Sequence, residues 1–129
     1  MARITRAALI QASNPAPPEA SIAETKKMMI DKHVELIKQA AGQGAQITCL
    51  QEIFYGPYFC AEQDTRWYEI AEHIPDGPTI KLMQEIAKEH SMILVVPIYE
   101  VDMTGVYYNT AAVIDENGEY LGKYRKHHI

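Results

Sequence analysis

Apolar positions recur along this chain in two periods, and the switches between them mark out its elements. Ile4 to Ala12 is rich in apolar residues and runs into Ser13-Asn14-Pro15 and the breaker pair Pro17-Pro18, the signature of a strand closed by a turn. Ser21-Ile22-Ala23-Glu24 has the spacing of a capping box, in which the serine oxygen and the glutamate carboxylate satisfy the free amides of a first helical turn. Ile22, Met29, Leu36 and Ala40 then recur at helical spacing, with Lys26, Lys27, Asp31, Lys32 and Lys38 mostly elsewhere on the wheel, and Gly42 and Gly44 end the helix. Ile47 to Ile53 is short and continuously apolar, as expected of a strand covered on both faces.

The second half repeats the alternation. Phe54 to Trp67 is a loop dense in aromatics, and Asp76-Gly77-Pro78 opens a helix that carries Ile80, Met83, Ile86 and Ala87 on one stripe to about His90. Met92 to Tyr99 predicts a buried strand, in which Pro97 implies a sheet edge or a bulge. Turns at Asp102–Gly105 and at Asp115-Glu116-Asn117-Gly118 separate two further strands, Tyr107–Ile114 and Tyr120–Lys126. The order βαβαβββ predicts an α/β sheet with both helices available to one face. The strands at 92–99 and 107–114 are apolar enough to need cover on both faces. An apolar face is therefore expected to remain open, so that the chain pairs with itself, as a homo-oligomer, or with a complementing segment.

Composition narrows the picture. A chain of 129 residues buries about two thirds of its unfolded surface, enough for a core without staples. Net charge is −5, which argues against nucleic acid and anionic membranes as partners, and the basic run Lys123 to His128 reads by default as a solvated strand end. No apolar run is long enough to cross a bilayer, and Met1-Ala2-Arg3-Ile4 leads straight into a strand rather than reading as a signal peptide. The two cysteines, Cys49 and Cys60, sit in apolar sequence and suggest no disulfide framework, so a reducing, cytoplasmic setting is expected.

Two charged residues stand where apolar strands end. Glu52 follows Ile47-Thr48-Cys49-Leu50, and a glutamate there is either held in a structural ion pair or poised as a general base. Lys126 closes the last strand and is either a solvated lysine or one placed to stabilise an oxyanion. Strand alternation puts Cys49 on the face opposite Glu52, as a small core residue, and Cys60 has no nearby helix N-terminus or cation to lower its pKa. His33, His73, His90, His127 and His128 lack metal-binding spacing, and no glycine-rich phosphate loop is present.

Three segments, in order, carry a resemblance. Leu50-Gln51-Glu52-Ile53-Phe54-Tyr55-Gly56-Pro57-Tyr58-Phe59-Cys60 resembles the first signature of the nitrilase superfamily of carbon–nitrogen hydrolases. Tyr108-Asn109-Thr110-Ala111 and Gly122-Lys123-Tyr124-Arg125-Lys126-His127-His128-Ile129 resemble the next two. Within the superfamily the likeness is to the β-ureidopropionase and N-carbamoylputrescine amidase branch. The resemblance implies part of an αββα four-layer sandwich and a Glu-Lys-Cys triad in which Glu52 matches the base and Lys126 the lysine. It also implies hydrolysis of a linear N-carbamoyl amine or a related amide without metal or organic cofactor. Tyr58 in the aromatic loop and His128, two residues past the lysine, are the expected substrate contacts. The family's nucleophilic cysteine lies beyond the lysine motif, so residues 1–129 are expected to form the N-terminal portion of one such domain. Alone, the chain is expected to be inactive, and an inactive homologue that survives as an assembly or binding module is the alternative.

Overall fold

The computed structural model describes residues 3–129. Its elements are β1 (Ala7–Ile10), α1 (Ile22–Gly42), β2 (Ile47–Leu50), α2 (Pro78–His90), β3 (Ile93–Val101), β4 (Tyr107–Ile114) and β5 (Tyr120–Arg125), with two 3₁₀ turns at Phe59–Ala61 and Thr65–Ile70. They form one five-stranded sheet in the order β1-β2-β3-β4-β5. The first three strands are parallel and the last two join antiparallel. Successive parallel crossovers of one hand, advancing in one direction, put both helices on the same face.

The capping box forms as its sequence predicts. Ser21 Oγ accepts the Glu24 amide at 3.2 Å, and Glu24 Oε2 accepts the Ser21 amide at 2.8 Å. Thr25, Met29, His33, Ile37 and Ala40 of α1 are buried, whereas Ile22 and Leu36 lie at the margin of that stripe. Helix α2 buries Ile80, Met83, Ile86 and Ala87. Its first turn is fastened by Glu72, whose carboxylate accepts from the Thr79 amide at 2.8 Å and its hydroxyl at 2.6 Å and pairs with Lys26 of α1. A Cβ at Gly77 would come within 2.7 Å of that carboxylate, so the cap requires glycine there.

The two faces of the sheet differ sharply. Leu50, Leu94, Val96, Ile98, Ala112 and Ile114 face the helices and are almost fully buried. Ile47, Cys49, Ile93, Val95, Pro97, Ala111 and Val113 alternate with them on the other face and are only half-buried, and Leu9 beside them is 87% exposed. Cross-strand register makes this a continuous band, since Leu9 pairs with Cys49, Cys49 with Val95 and Val95 with Val113. Among the described residues the chain thus builds one helical layer and one sheet, and the other sheet face stays open.

Two strand expectations are corrected. Pro97 was expected at an edge or a bulge, yet β3 is the central strand. The missing N–H is tolerated because β2 ends at Leu50, and on that side the Pro97 carbonyl instead accepts the Phe54 amide at 3.2 Å. The strand predicted to run to Ile53 stops at Leu50, because Ile53 takes the left-handed conformation (φ 45°) in a turn. That turn sends Phe54 and Tyr55 into the core, both fully buried. The Tyr55 hydroxyl donates to the Tyr99 carbonyl at 2.9 Å and accepts the Tyr99 amide at 3.2 Å.

Candidate active site

The site is assembled from two chain segments that leave the sheet at the same end. Gln51 anchors the first, its side-chain oxygen accepting the Ala12 amide, and the turn that follows presents Glu52 beyond the last residue of β2. The second is the end of β5, where the Lys126 amide donates to the Asn109 carbonyl at 2.8 Å and extends the β4–β5 pairing by one residue. Lys126 Nζ donates to Glu52 Oε1 at 2.7 Å, and Asn109 Nδ2 donates to the same oxygen at 2.5 Å.

A bulge decides which way Lys126 points. The β4–β5 register shifts between Val113, opposite Gly122, and Ile114, opposite Tyr120, leaving Leu121 as the extra residue. Strict alternation would place Tyr120 and Lys126 on one face. With the bulge, Tyr120 packs on the core, Lys123 and Arg125 follow on the helix side, and Lys126 emerges on the open side.

Lys123 and Arg125 are therefore not a solvated strand end. Both bind Glu100, which is 1% exposed: Arg125 Nε and Nη2 reach its carboxylate at 3.0 and 2.7 Å, Lys123 contacts Oε1, and Thr110 Oγ1 donates at 2.7 Å. Burial alone would push the Glu100 carboxyl up, but the hydrogen bonds from Arg125, Lys123 and Thr110 prevail and bring it to about 2. Arg125 also lies 3.8 Å from the centre of the Tyr108 ring. The cluster fixes β5 against β3 and so fixes the residue that follows it, Lys126.

Glu52 and Lys126 are brought together, but not in burial. Their side chains are 52% and 45% exposed, because they sit on the sheet face that no helix covers. The Lys126 hydrogen bond, then that of Asn109, holds the Glu52 carboxyl below its ordinary value, and the Glu52 hydrogen bond and charge hold the Lys126 ammonium above its own. Solvent screens such a pair, so its contribution to folding is small.

A cavity of about 430 Å³ opens beside the pair. Tyr58, Phe59, Cys60 and His128 line it with Glu52, Asn109 and Lys126. Both residues expected as substrate contacts thus border the charged pair. The groove between β1 and α1 is larger, about 510 Å³, but Arg6 is its one charged lining residue and no acid–base pair is present.

The expectation for Cys49 changes. Alternation was expected to separate Cys49 from Glu52, but Glu52 lies past the strand in the turn, and its carboxylate meets residues of the open face that Cys49 shares. Burial pushes the Cys49 thiol up, away from nucleophilic ionisation. Cys60 is exposed and borders the same cavity as Lys126. The participation of Asn109 was not foreseen, although it lies in the second signature segment, Tyr108-Asn109-Thr110-Ala111.

Comparison with known proteins decides the family. The profile of the carbon-nitrogen hydrolases matches residues 6–129. The chain belongs to the carbon–nitrogen hydrolase family. Among its relatives, a beta-ureidopropionase of Arabidopsis thaliana is 39% identical, matching 98% of this chain and 31% of its own length. An N-carbamoylputrescine amidase of Solanum lycopersicum is 40% identical, over 73% of this chain and 31% of its own. The crystal structure of a carbon-nitrogen hydrolase from Helicobacter pylori superposes on 97% of this chain and 40% of that one, with TM-score 0.83 at 23% identity, a likeness of fold. The present chain thus spans about a third of the length of the curated relatives it matches. Among its described residues no helix is long and apolar enough to cross a membrane.

Proposed function

We propose that this chain supplies the base and the oxyanion-binding lysine of a cysteine-dependent hydrolase that cleaves the non-peptide C–N bond of a linear N-carbamoyl amine. The observation that carries the reading is the 2.7 Å contact between Glu52 and Lys126 at the mouth of an open cavity, in a chain of this family. A carboxylate can take a thiol proton, and an ammonium supplies a full positive charge with no acceptor atoms to compete for it.

In this mechanism the Glu52 carboxylate removes the proton of a cysteine thiol brought to the cavity. The thiolate adds to the carbamoyl carbon, and the charge that develops on oxygen is met by Lys126. Collapse of the adduct breaks the C–N bond, and ammonia leaves with the proton that Glu52 had taken. Water, deprotonated by Glu52, then cleaves the thioester-like intermediate and regenerates the thiol, and the carbamic acid released falls apart into an amine and carbon dioxide. Tyr58 and His128 contact the substrate from the cavity wall. Neither Cys49, whose thiol burial keeps protonated, nor Cys60, on the exposed rim, is assigned as nucleophile, so the thiol comes from outside residues 1–129.

Residues 1–129 form, on this reading, the N-terminal portion of a single domain whose second sheet packs on the open face, as one half of an αββα sandwich. N-carbamoyl-β-alanine is the preferred substrate and N-carbamoylputrescine the next, in keeping with the names of the two relatives. The assembled enzyme is expected to release ammonia from N-carbamoyl-β-alanine. Release from nitriles but not from N-carbamoyl amines refutes the assignment. The continuous apolar face from Leu9 to Val113 supports a second reading, an inactive assembly module, which predicts binding of a partner with no turnover by the complex.

A further inference from the structure

We infer that Asn109 is a positioning residue that divides the labour between the two oxygens of Glu52, holding Oε1 against Lys126 and leaving Oε2 to take the proton. The inference rests on the hydrolase reading and deepens it. Both donors converge on Oε1, Lys126 Nζ at 2.7 Å and Asn109 Nδ2 at 2.5 Å, and among the described residues no donor reaches Oε2. An oxygen that already accepts two hydrogen bonds, one from an ammonium, is the poorer proton acceptor. A carboxylate accepts and cannot donate, so the Asn109 amide meets it through its NH₂ end, and chemistry alone fixes the orientation of that side chain.

Asn109 is suited to this by its position in the strand. Its carbonyl accepts the Lys126 amide at 2.8 Å while its side chain holds the Glu52 carboxylate, so one residue sets the backbone of the cation and the side chain of the base. Lys126 alone would leave the carboxylate free to rotate about a single contact. A second donor on the same oxygen restrains that rotation and leaves Oε2 without a donor among the described residues, in a side chain that lines the cavity. An aspartate at 109 would oppose Glu52 with a like charge, and an alanine would return the carboxylate to solvent.

The bland alternative is that Asn109 merely satisfies a half-exposed carboxylate. The two differ in what Asn109→Ala and Asn109→Thr do, threonine being a strand-compatible variant that guards against misfolding. In the assembled enzyme, loss of a hydrogen bond to a charged group should lower kcat about tenfold to a hundredfold with KM little changed. It should also move the acid limb of the kcat/KM profile to higher pH, because Glu52 loses a contact that favours its charged form. In residues 1–129 alone, ¹³C NMR titration of the Glu52 carboxyl should show the same upward move, and Asn109→Asp a larger one. Both variants folded, with unchanged kcat and an unchanged Glu52 titration, would overturn the inference. A wild-type enzyme that turns over no carbon–nitrogen substrate would sink the hydrolase reading instead, and the NMR titration would still uphold or overturn the hold of Asn109 on Glu52.

Discussion

Arg125 and Lys126 are neighbours in sequence and bind carboxylates on opposite faces of one sheet: Arg125 holds Glu100 on the helix side, and Lys126 holds Glu52 on the open side. On the proposed hydrolase reading the first contact is structural and the second chemical, and the first aims the second. Removing either should therefore give a different symptom.

On the proposed hydrolase reading, replacement of Glu52 or Lys126 should sharply lower turnover by the assembled enzyme without unfolding the chain. Glu52→Gln keeps the shape but cannot accept a proton, and loss of a general base lowers kcat by about 10² to 10⁴. Lys126→Ala should act on kcat in the same sense, since the charge it offers matters most in the transition state. Because both side chains are half-exposed, denaturant midpoints should stay near wild type, and a large fall in either would contradict the assignment.

Glu100→Gln should do the reverse in its first effect. It removes a buried charge shared by Lys123 and Arg125, and a cost of about 2 kcal/mol is expected after allowing for the solvent that reaches both cations. The folded pKa of about 2 lies below the ordinary 4.5, so this stability is complete above pH 4.5 and is lost as pH falls toward 2. Urea titrations across that window should show a steeper loss in wild type than in the variant. Equal slopes would mean that Glu100 does not carry the effect.

The open sheet face should make residues 1–129 associate. Leu9, Ile47, Val95 and Val113 present a continuous apolar band, which a soluble monomer seldom tolerates. Light scattering of the isolated chain should show dimers or larger species, and Val95→Lys, which places a charge mid-band, should shift them toward monomer. A wild-type chain that stays monomeric at high concentration is the contrary result.

Cys60→Ser should leave hydrolysis by the assembled enzyme within a few fold of wild type, because Cys60 lies on the exposed rim of the cavity and is not the assigned nucleophile. Residues 1–129 alone should show no turnover of N-carbamoyl-β-alanine. Turnover by the isolated chain that disappears in Cys60→Ser would make Cys60 the nucleophile.

Much of this architecture is local and therefore written along the chain. The capping box at Ser21 and Glu24, the Gly77-Pro78 helix start and the period-two alternation of β3 and β4 each depend on residues a few positions apart, and so could be read without knowing the fold. Glu52 and Lys126 were legible as charges at the ends of apolar strands, and the family signatures gave them expected roles.

What the sequence could not decide is everything that depends on register and on where a strand stops. The left-handed turn at Ile53 carries Glu52 off the end of β2, so alternation does not govern its side. The bulge at Leu121 turns Lys126 to the open face and Lys123 and Arg125 to the helix side. Glu100 meets those two cations across two antiparallel pairings, and Asn109 meets a glutamate from a different crossover. A strand repeats every two residues, so a single inserted residue inverts every later assignment, and the energy that selects one register comes from partners distant in sequence. Local pattern determined the elements; only their packing determined which charges face one another.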